Sequence, residues 1–202
     1  MKPSAQPPHA NDRTTVPEHW SAGVCDVLIT EEQLRQRVNE LAATLTHDYE
    51  QKDLIVVALL TGTVVFLADL LRRLTLPLRL DFIGVSSYRE GTVSKDLVFT
   101  KDLRLEVKDR DVLLVDDILD SGRTMVRVTD RLQRLKPRSL RTCVLLDKPA
   151  RRTEKITVDY VGFVIPDLFV VGYGLDFAER YRNLPFIGVL RPSRYSGTAD
   201  KE

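Results

Sequence analysis

Cysteine is scarce in this chain: Cys25 and Cys143 are its two thiols in 202 residues, and they share no motif spacing with each other or with a histidine. That pattern excludes a disulfide framework and a cysteine-based zinc site, and predicts two thiols in a reducing compartment. Histidine is missing where a hydrolase would need it. His9, His19 and His47 all fall in the first quarter, none beside a plausible nucleophile, which disfavours Ser-His-Asp or Cys-His chemistry. No apolar run approaches the ~20 residues that span a bilayer. Residues 1–17 lack the apolar centre of a secretory signal, so a cytoplasmic location is expected. A charge excess is absent too: 30 Lys+Arg oppose 29 Asp+Glu, a net +1 that gives no global pull toward nucleic acid or anionic membrane.

What is present suits one globular unit. With 43% hydrophobic and 29% charged residues the chain has ordinary soluble composition. Its length suits a single domain that buries a core without disulfides. Residues 1–20 hold Pro3, Pro7, Pro8 and Pro17, four of the ten prolines, among polar residues, and read as a mobile tail. The polar stretch 191–202 reads as a frayed C-terminal tail. Between them, over 21–190, there is neither a repeat nor a linker.

This middle alternates helix and strand signals. Thr30 with Gln33 forms a capping box, followed by Leu34, Val38, Leu41, Ala42 and Leu45 at helical period. Residues 54–60 (LIVVALL) are a continuous apolar run, the mark of a strand covered on both faces. A helix is expected over 64–74, strands over 78–85 and 112–115, a helix over 122–135, and strands over 140–146, 160–163 and 186–190. Strand–helix alternation implies right-handed crossovers and an α/β, mainly parallel sheet. Ligands bind beyond the carboxyl ends of such strands, which directs attention to the loops after Leu60, Val85, Val115 and Leu146.

The segment after Val115 reads Asp116-Asp117-Ile118-Leu119-Asp120-Ser121-Gly122-Arg123-Thr124. Two adjacent acids at the end of a buried strand are costly unless they face a polar ligand or a metal. Ser121 to Thr124 open a helix whose free N–H groups, hydroxyls and glycine make a phosphate cradle. Ser121 alone is read best as a helix cap, but capping accounts for one acid and not for three. Asp120, an acid beside an anion nest, is suited to taking a proton from a substrate.

This nonamer resembles the phosphoribosyl-diphosphate signature of type I phosphoribosyltransferases. Further along stand Leu145-Leu146-Asp147-Lys148-Pro149, Asp159-Tyr160-Val161-Gly162-Phe163, Ile165 to Asp176 (IPDLFVVGYGLD) and Arg180-Tyr181-Arg182-Asn183-Leu184-Pro185. Together they resemble the hypoxanthine (hypoxanthine-guanine) branch of that family, over about 24–190. The resemblance implies a twisted, mainly parallel sheet flanked by helices, with a small hood subdomain, and an Mg²⁺-dependent purine-salvage transferase. It implies that Asp116 and Asp117 bind the ribose hydroxyls, that Asp120 is the general base, and that Ser121, Gly122, Arg123 and Thr124 hold the 5′-phosphate. Thr61, Gly62 and Arg182 would meet the diphosphate. Lys148 would donate to the 6-oxo group of the purine, Phe169 would stack on its face, and the Val170 main chain would read its edge. Asp176, with Asp116 and Asp117, would serve the metal. Ser87 and Tyr88 would open a lid reaching about Asp96. The resemblance also implies a homodimer or homotetramer acting on small molecules, with neither nucleic acid nor membrane as partner.

Many members of the family carry Lys where this chain has Thr61, so a cationic contact from that position is absent and Arg182 and Mg²⁺ would carry more of the charge. Two other readings stay open: a xanthine-preferring transferase, and a non-catalytic ligand-sensing or RNA-binding regulator on the same fold. The best basic cluster for the latter is Arg134, Lys136, Arg138 and Arg141, which helix-end solvation also explains. Arg151 and Arg152 read as a solvated turn.

Overall fold

A computed structural model describes residues 15–87 and 97–195. The chain lays down β1 (Val24–Ile29), α1 (Glu31–Asp48), β2 (Leu54–Leu60), α2 (Val64–Leu71), β3 (Leu78–Ser87) and β4 (Leu97–Lys101). It continues with β5 (Asp111–Leu119), α3 (Arg123–Arg134), β6 (Ser139–Asp147), β7 (Tyr160–Val164), β8 (Val170–Val171) and β9 (Ile187–Leu190). The capping box at Thr30 is formed as the sequence predicts: Gln33 N donates to Thr30 Oγ1 and Thr30 N to Gln33 Oε1.

Six strands form one sheet in the order β4-β3-β2-β5-β6-β7, parallel throughout except for β4, which runs antiparallel to β3. Period-two alternation on β2 divides the core. Val56 and Ala58 face α1 and α2, while Ile55, Val57 and Leu59 face α3. Both faces are therefore covered, which is why residues 54–60 carry no polar position. A second, antiparallel sheet, β1-β9-β8, joins the two ends of the domain and forms the small hood. The connections leave the sheet in opposite directions from β2 (toward β3) and from β5 (toward β6). That switch point opens a crevice beyond their carboxyl ends.

Three strands had no clear local signal. β1 and β8 belong to the hood, and β4 is the short antiparallel edge. The strand expected over 112–115 also runs four residues further. Asp116 and Asp117 lie inside β5, pairing in register with β6 through Asp116↔Val144 and Ile118↔Leu146, rather than in a loop. Each carboxylate accepts the next backbone N–H, Asp117 N at 3.0 Å from Asp116 Oδ1 and Ile118 N at 2.8 Å from Asp117 Oδ1, which lets charged residues stay extended there.

Beyond β9 the chain turns back onto the domain. Pro192–Arg194 is a 3₁₀ turn, with Arg191 Nε donating to Ser21 O at 2.7 Å and Arg194 Nη2 to Ala22 O at 3.1 Å. Glu18–Trp20 is another such turn, and Trp20 packs near Tyr181.

Candidate active site

A cleft of about 330 Å³ lies at the switch point, lined by Thr61, Gly62, Asp116, Asp117, Asp120, Ser121, Gly122, Thr124, Asp176 and Arg182. Most of the predicted diphosphate-binding residues are thus brought together from three distant stretches of chain. Gly62 is there because nothing larger fits: a Cβ at this position would lie 1.8 Å from Asp117 Oδ2. Gly174, at φ +104°, is equally constrained, since its Cβ would lie 2.0 Å from Gly62 O. The Leu60–Thr61 peptide bond at the mouth of this loop is cis.

Asp116 and Asp117 sit at the back of the cleft, Asp116 being 9% exposed. Burial pushes both carboxyls upward from the usual range, and in Asp116 the neighbouring Asp117 charge adds to the effect. Thr63 Oγ1 donates to Asp116 Oδ1 at 3.4 Å, a weak interaction. The pair is under-compensated by protein alone. Asp176 lies across the cleft, where Arg182 Nη1 approaches its Oδ1 at 3.0 Å and also donates to Gly174 O at 2.9 Å. Among the described residues no three acids or histidines converge as a ready-made metal cage.

The cradle opens α3 through Gly122, whose φ of +89° and crowding by Arg152 and Ile156 demand glycine. Ser121 Oγ accepts from Arg123 N only at 3.4 Å, so side-chain capping is weak and the first N–H groups of α3 are left facing the cleft. The Arg123 side chain is 68% exposed and pairs loosely with Glu154, so its part in the cradle belongs to its backbone. Asp120 does not cap the helix. Its Oδ1 is buried without a hydrogen bond, and Arg151 Nε stands 3.5 Å away as an ion pair.

Lys148, Phe169 and Val170 lie outside this cleft's lining, and Lys148 is joined to it by a run of ion pairs that ends at Asp120. Arg151 bridges from Asp120 to Asp167, with Nη1 3.9 Å from Asp167 Oδ1, and the same oxygen lies 3.9 Å from Lys148 Nζ. Lys148 is 5% exposed, and 3.9 Å leaves its ammonium hydrogens for another acceptor. Phe169 is 38% exposed, the sole aromatic among the exposed large apolar side chains of the described residues. Val170 is buried in β8. Ser87 ends β3, opposite Leu97 of β4, while Tyr88 and the rest of the expected lid lie outside the described residues.

One residue essential to this geometry reads in sequence as a solvated turn and is not one. Arg152 is 18% exposed and donates to Asp120 O (3.1 Å), Leu119 O (3.3 Å) and the Asp147 carboxylate. Thr153 N and Glu154 N bond to Ser121 O at 3.0 and 3.2 Å, and Lys148 N to Leu119 O at 3.0 Å. The 148–154 segment therefore clasps the phosphate loop from behind. Apart from Asp147, five residues away, these partners are about 30 positions distant, and the Arg-Arg pair carries no local signal of them.

A phosphoribosyl transferase domain model matches residues 28–178. The chain belongs to the phosphoribosyltransferase family. This phosphoribosyltransferase is 48% identical over 172 residues to hypoxanthine-guanine phosphoribosyltransferase of Staphylococcus aureus, a match covering 85% of this chain and 96% of that protein. It is 50% identical over 171 residues to the bifunctional protein TilS/HprT of Listeria monocytogenes. That match covers 84% of this chain but about a quarter (26%) of the longer Listeria protein. A crystal structure of a hypoxanthine phosphoribosyltransferase from S. aureus superimposes with a TM-score of 0.84 at 44% identity, covering 90% of this chain and 99% of that one.

Proposed function

We propose that this transferase moves the 5-phosphoribosyl group of 5-phosphoribosyl 1-diphosphate to N9 of a 6-oxopurine, hypoxanthine or guanine, releasing pyrophosphate. The observation that carries the reading is the single cleft in which the Asp116–Thr124 nonamer, Gly62, Asp176 and Arg182 face one another. The names of its relatives agree with it. In this reading the α3 N–H groups and the Ser121 and Thr124 hydroxyls hold the 5′-phosphate. That contact is remote from the reacting carbon and supplies positioning energy. Asp116 and Asp117 accept the ribose hydroxyls, which adds to the partial compensation that neighbouring amides give them. Gly62 brings backbone close to the diphosphate, and Arg182 adds charge there.

Asp120 takes the purine imidazole proton, its partly exposed carboxylate lining the cleft beside Arg151. Lys148 Nζ donates to the 6-oxo oxygen. An ammonium has no acceptor to offer an adenine amino group, so the chemistry selects oxopurines. Phe169 stacks on the base and the Val170 main chain reads its edge.

Mg²⁺ fits the residues present. Two under-compensated carboxylates at the back of the cleft with Asp176 across it suit an ion that keeps substrate oxygens and waters in its shell. When bound, Mg²⁺ supplies Lewis-acid stabilisation of the departing pyrophosphate.

The RNA-binding reading loses support at its own cluster, because Arg138 pairs with Asp111 and Arg141 with Asp48 and Tyr160. We place the protein in the cytoplasm as a dimer or tetramer; among the described residues no helix is long and apolar enough to cross a membrane. A spectrophotometric assay with hypoxanthine, guanine, xanthine and adenine, each with the diphosphate substrate and Mg²⁺, tests the reading. Turnover of hypoxanthine or guanine is expected. A rate dominated by xanthine or adenine, or by no base, overturns it.

A further inference from the structure

Phe169 is an exposed ring held on two sides. Tyr195 stacks on one face, with centroids 5.2 Å apart and planes 22° from parallel. Phe177 meets it edge-on at 5.5 Å and 87°. With both contacts in place Phe169 remains 38% exposed. Tyr195 reaches it from beyond the last strand. Leu190 N bonds to the Phe169 carbonyl at 2.8 Å, so the chain that fixes the backbone of Phe169 returns five residues later to cover its ring. The intervening turn is itself fastened. Arg191 N bonds to Gly23 O at 2.9 Å, Arg191 Nε to Ser21 O, both Nε and Nη2 of Arg194 to Ala22 O, and Tyr195 N to Pro192 O at 3.1 Å. Tyr195 also packs beside Trp20, Phe177 and Tyr181 against the buried cluster of Val24, Val171, Leu184, Phe186 and Leu190.

A half-exposed phenylalanine that must present a flat face to a ligand loses rotamer freedom on binding unless something has already fixed it. We infer that Tyr195 is a positioning residue for purine recognition: its ring pre-orients the exposed Phe169 ring for stacking on the base. This rests on the assignment of Phe169 to the purine site made above. The hydroxyl has no part in a face-to-face contact, so the ring alone is required. The stacking contact lies on Phe169, so the effect of Tyr195 is expected at the base.

The test is steady-state kinetics of the full chain and of Tyr195→Ala, Tyr195→Phe and Tyr195→Leu, varying hypoxanthine at saturating diphosphate substrate and the reverse. Tyr195→Ala is expected to raise KM for the purine roughly 2- to 10-fold, the range of an aromatic pair, with KM for the diphosphate substrate unchanged. Tyr195→Phe restores the purine KM. Tyr195→Leu, which keeps bulk without a π face, raises it as alanine does and serves in its place if the alanine variant does not fold. An unchanged purine KM, or equal rises in both KM values, overturns the inference. A lowered purine KM also overturns it, because the Tyr195 ring then occupies the place of the base. Absence of turnover by the unaltered chain overturns the purine-transfer reading itself; normal turnover with a silent Tyr195→Ala overturns the positioning role alone.

Discussion

In the proposed mechanism the chemistry turns on Asp120. Its backbone is fixed by Arg152 while its Oδ1 is left without a hydrogen bond, so the carboxylate is held in place but not consumed by structure. Asp120→Asn keeps size and placement and removes basicity. It is expected to leave nucleotide binding intact, measured by calorimetry, and to lower kcat by roughly 10²–10⁴-fold, the usual weight of a general base; a near-normal kcat would show that another group takes the proton. Gly62 is set by a different constraint. With a Cβ position 1.8 Å from Asp117 Oδ2, Gly62→Ala must displace either the carboxylate or the loop. A misplacement of about 1 Å at a reacting centre costs on the order of 10²-fold, so kcat/KM should fall by about that factor while the thermal midpoint moves little. At this scale the sequence was informative wherever residues sit close together. That the acids and helix start of 116–124 share one cleft was legible because neighbours in sequence remain neighbours in space there. Arg152 was not, because the Leu119 and Asp120 carbonyls it holds arrive from more than 30 positions away through the fold.

Among the elements, the β3–β5 connection depends on one buried acid. Asp81 on β3 accepts from Phe82 N (2.8 Å), Arg104 N (2.5 Å), Leu105 N (2.8 Å) and Lys101 Nζ (3.0 Å), tying the strand to the segment that leads into β5. Burial alone would push its carboxyl up, but the Leu105, Arg104 and Phe82 amides with Lys101 outweigh it and hold it down at about 2. A folded-state value below the ordinary 3.8 contributes stability that is present above pH 4 and lost as pH falls toward 2. Asp81→Asn should therefore cost about 2 kcal/mol at pH 7, read from urea unfolding, and the gap from the unaltered chain should close below pH 3. A gap independent of pH would refute the linkage. Element legibility followed the same logic of locality. α1 and β2 announce themselves through a capping box and an unbroken apolar run. β8 is two residues long and β1 is defined by pairing with β9, more than 150 positions away, so neither carries its own pattern. β5 was read short because acids inside a strand look like its end.

The whole molecule shows its cooperativity in its thiols. Cys143 lies in the middle of the main sheet, fully buried, its thiol pushed up to about 12 by that burial. Cys25 is exposed, with Sγ 3.4 Å from Val189 O. Native protein treated with iodoacetamide should take up label at Cys25 alone, and at Cys143 only after denaturation, as peptide mass spectrometry would resolve. Label on Cys143 under native conditions would mean that the sheet opens locally. The balanced net charge likewise describes the molecule and not its site, where Asp116, Asp117, Asp120 and Asp176 share a cleft with Arg182.

The seat of Gly174 on the Gly62 carbonyl has a consequence for the chain's own history. A nascent chain that has emerged only as far as β7 holds every strand of the main sheet and the phosphate loop, yet lacks the backbone against which residue 62 comes to rest. A fragment ending at β7 is therefore expected to bind the diphosphate substrate more weakly than the chain that includes Gly174, as calorimetry on the two would show. A ligand that needs the docked arrangement stabilises it by mass action.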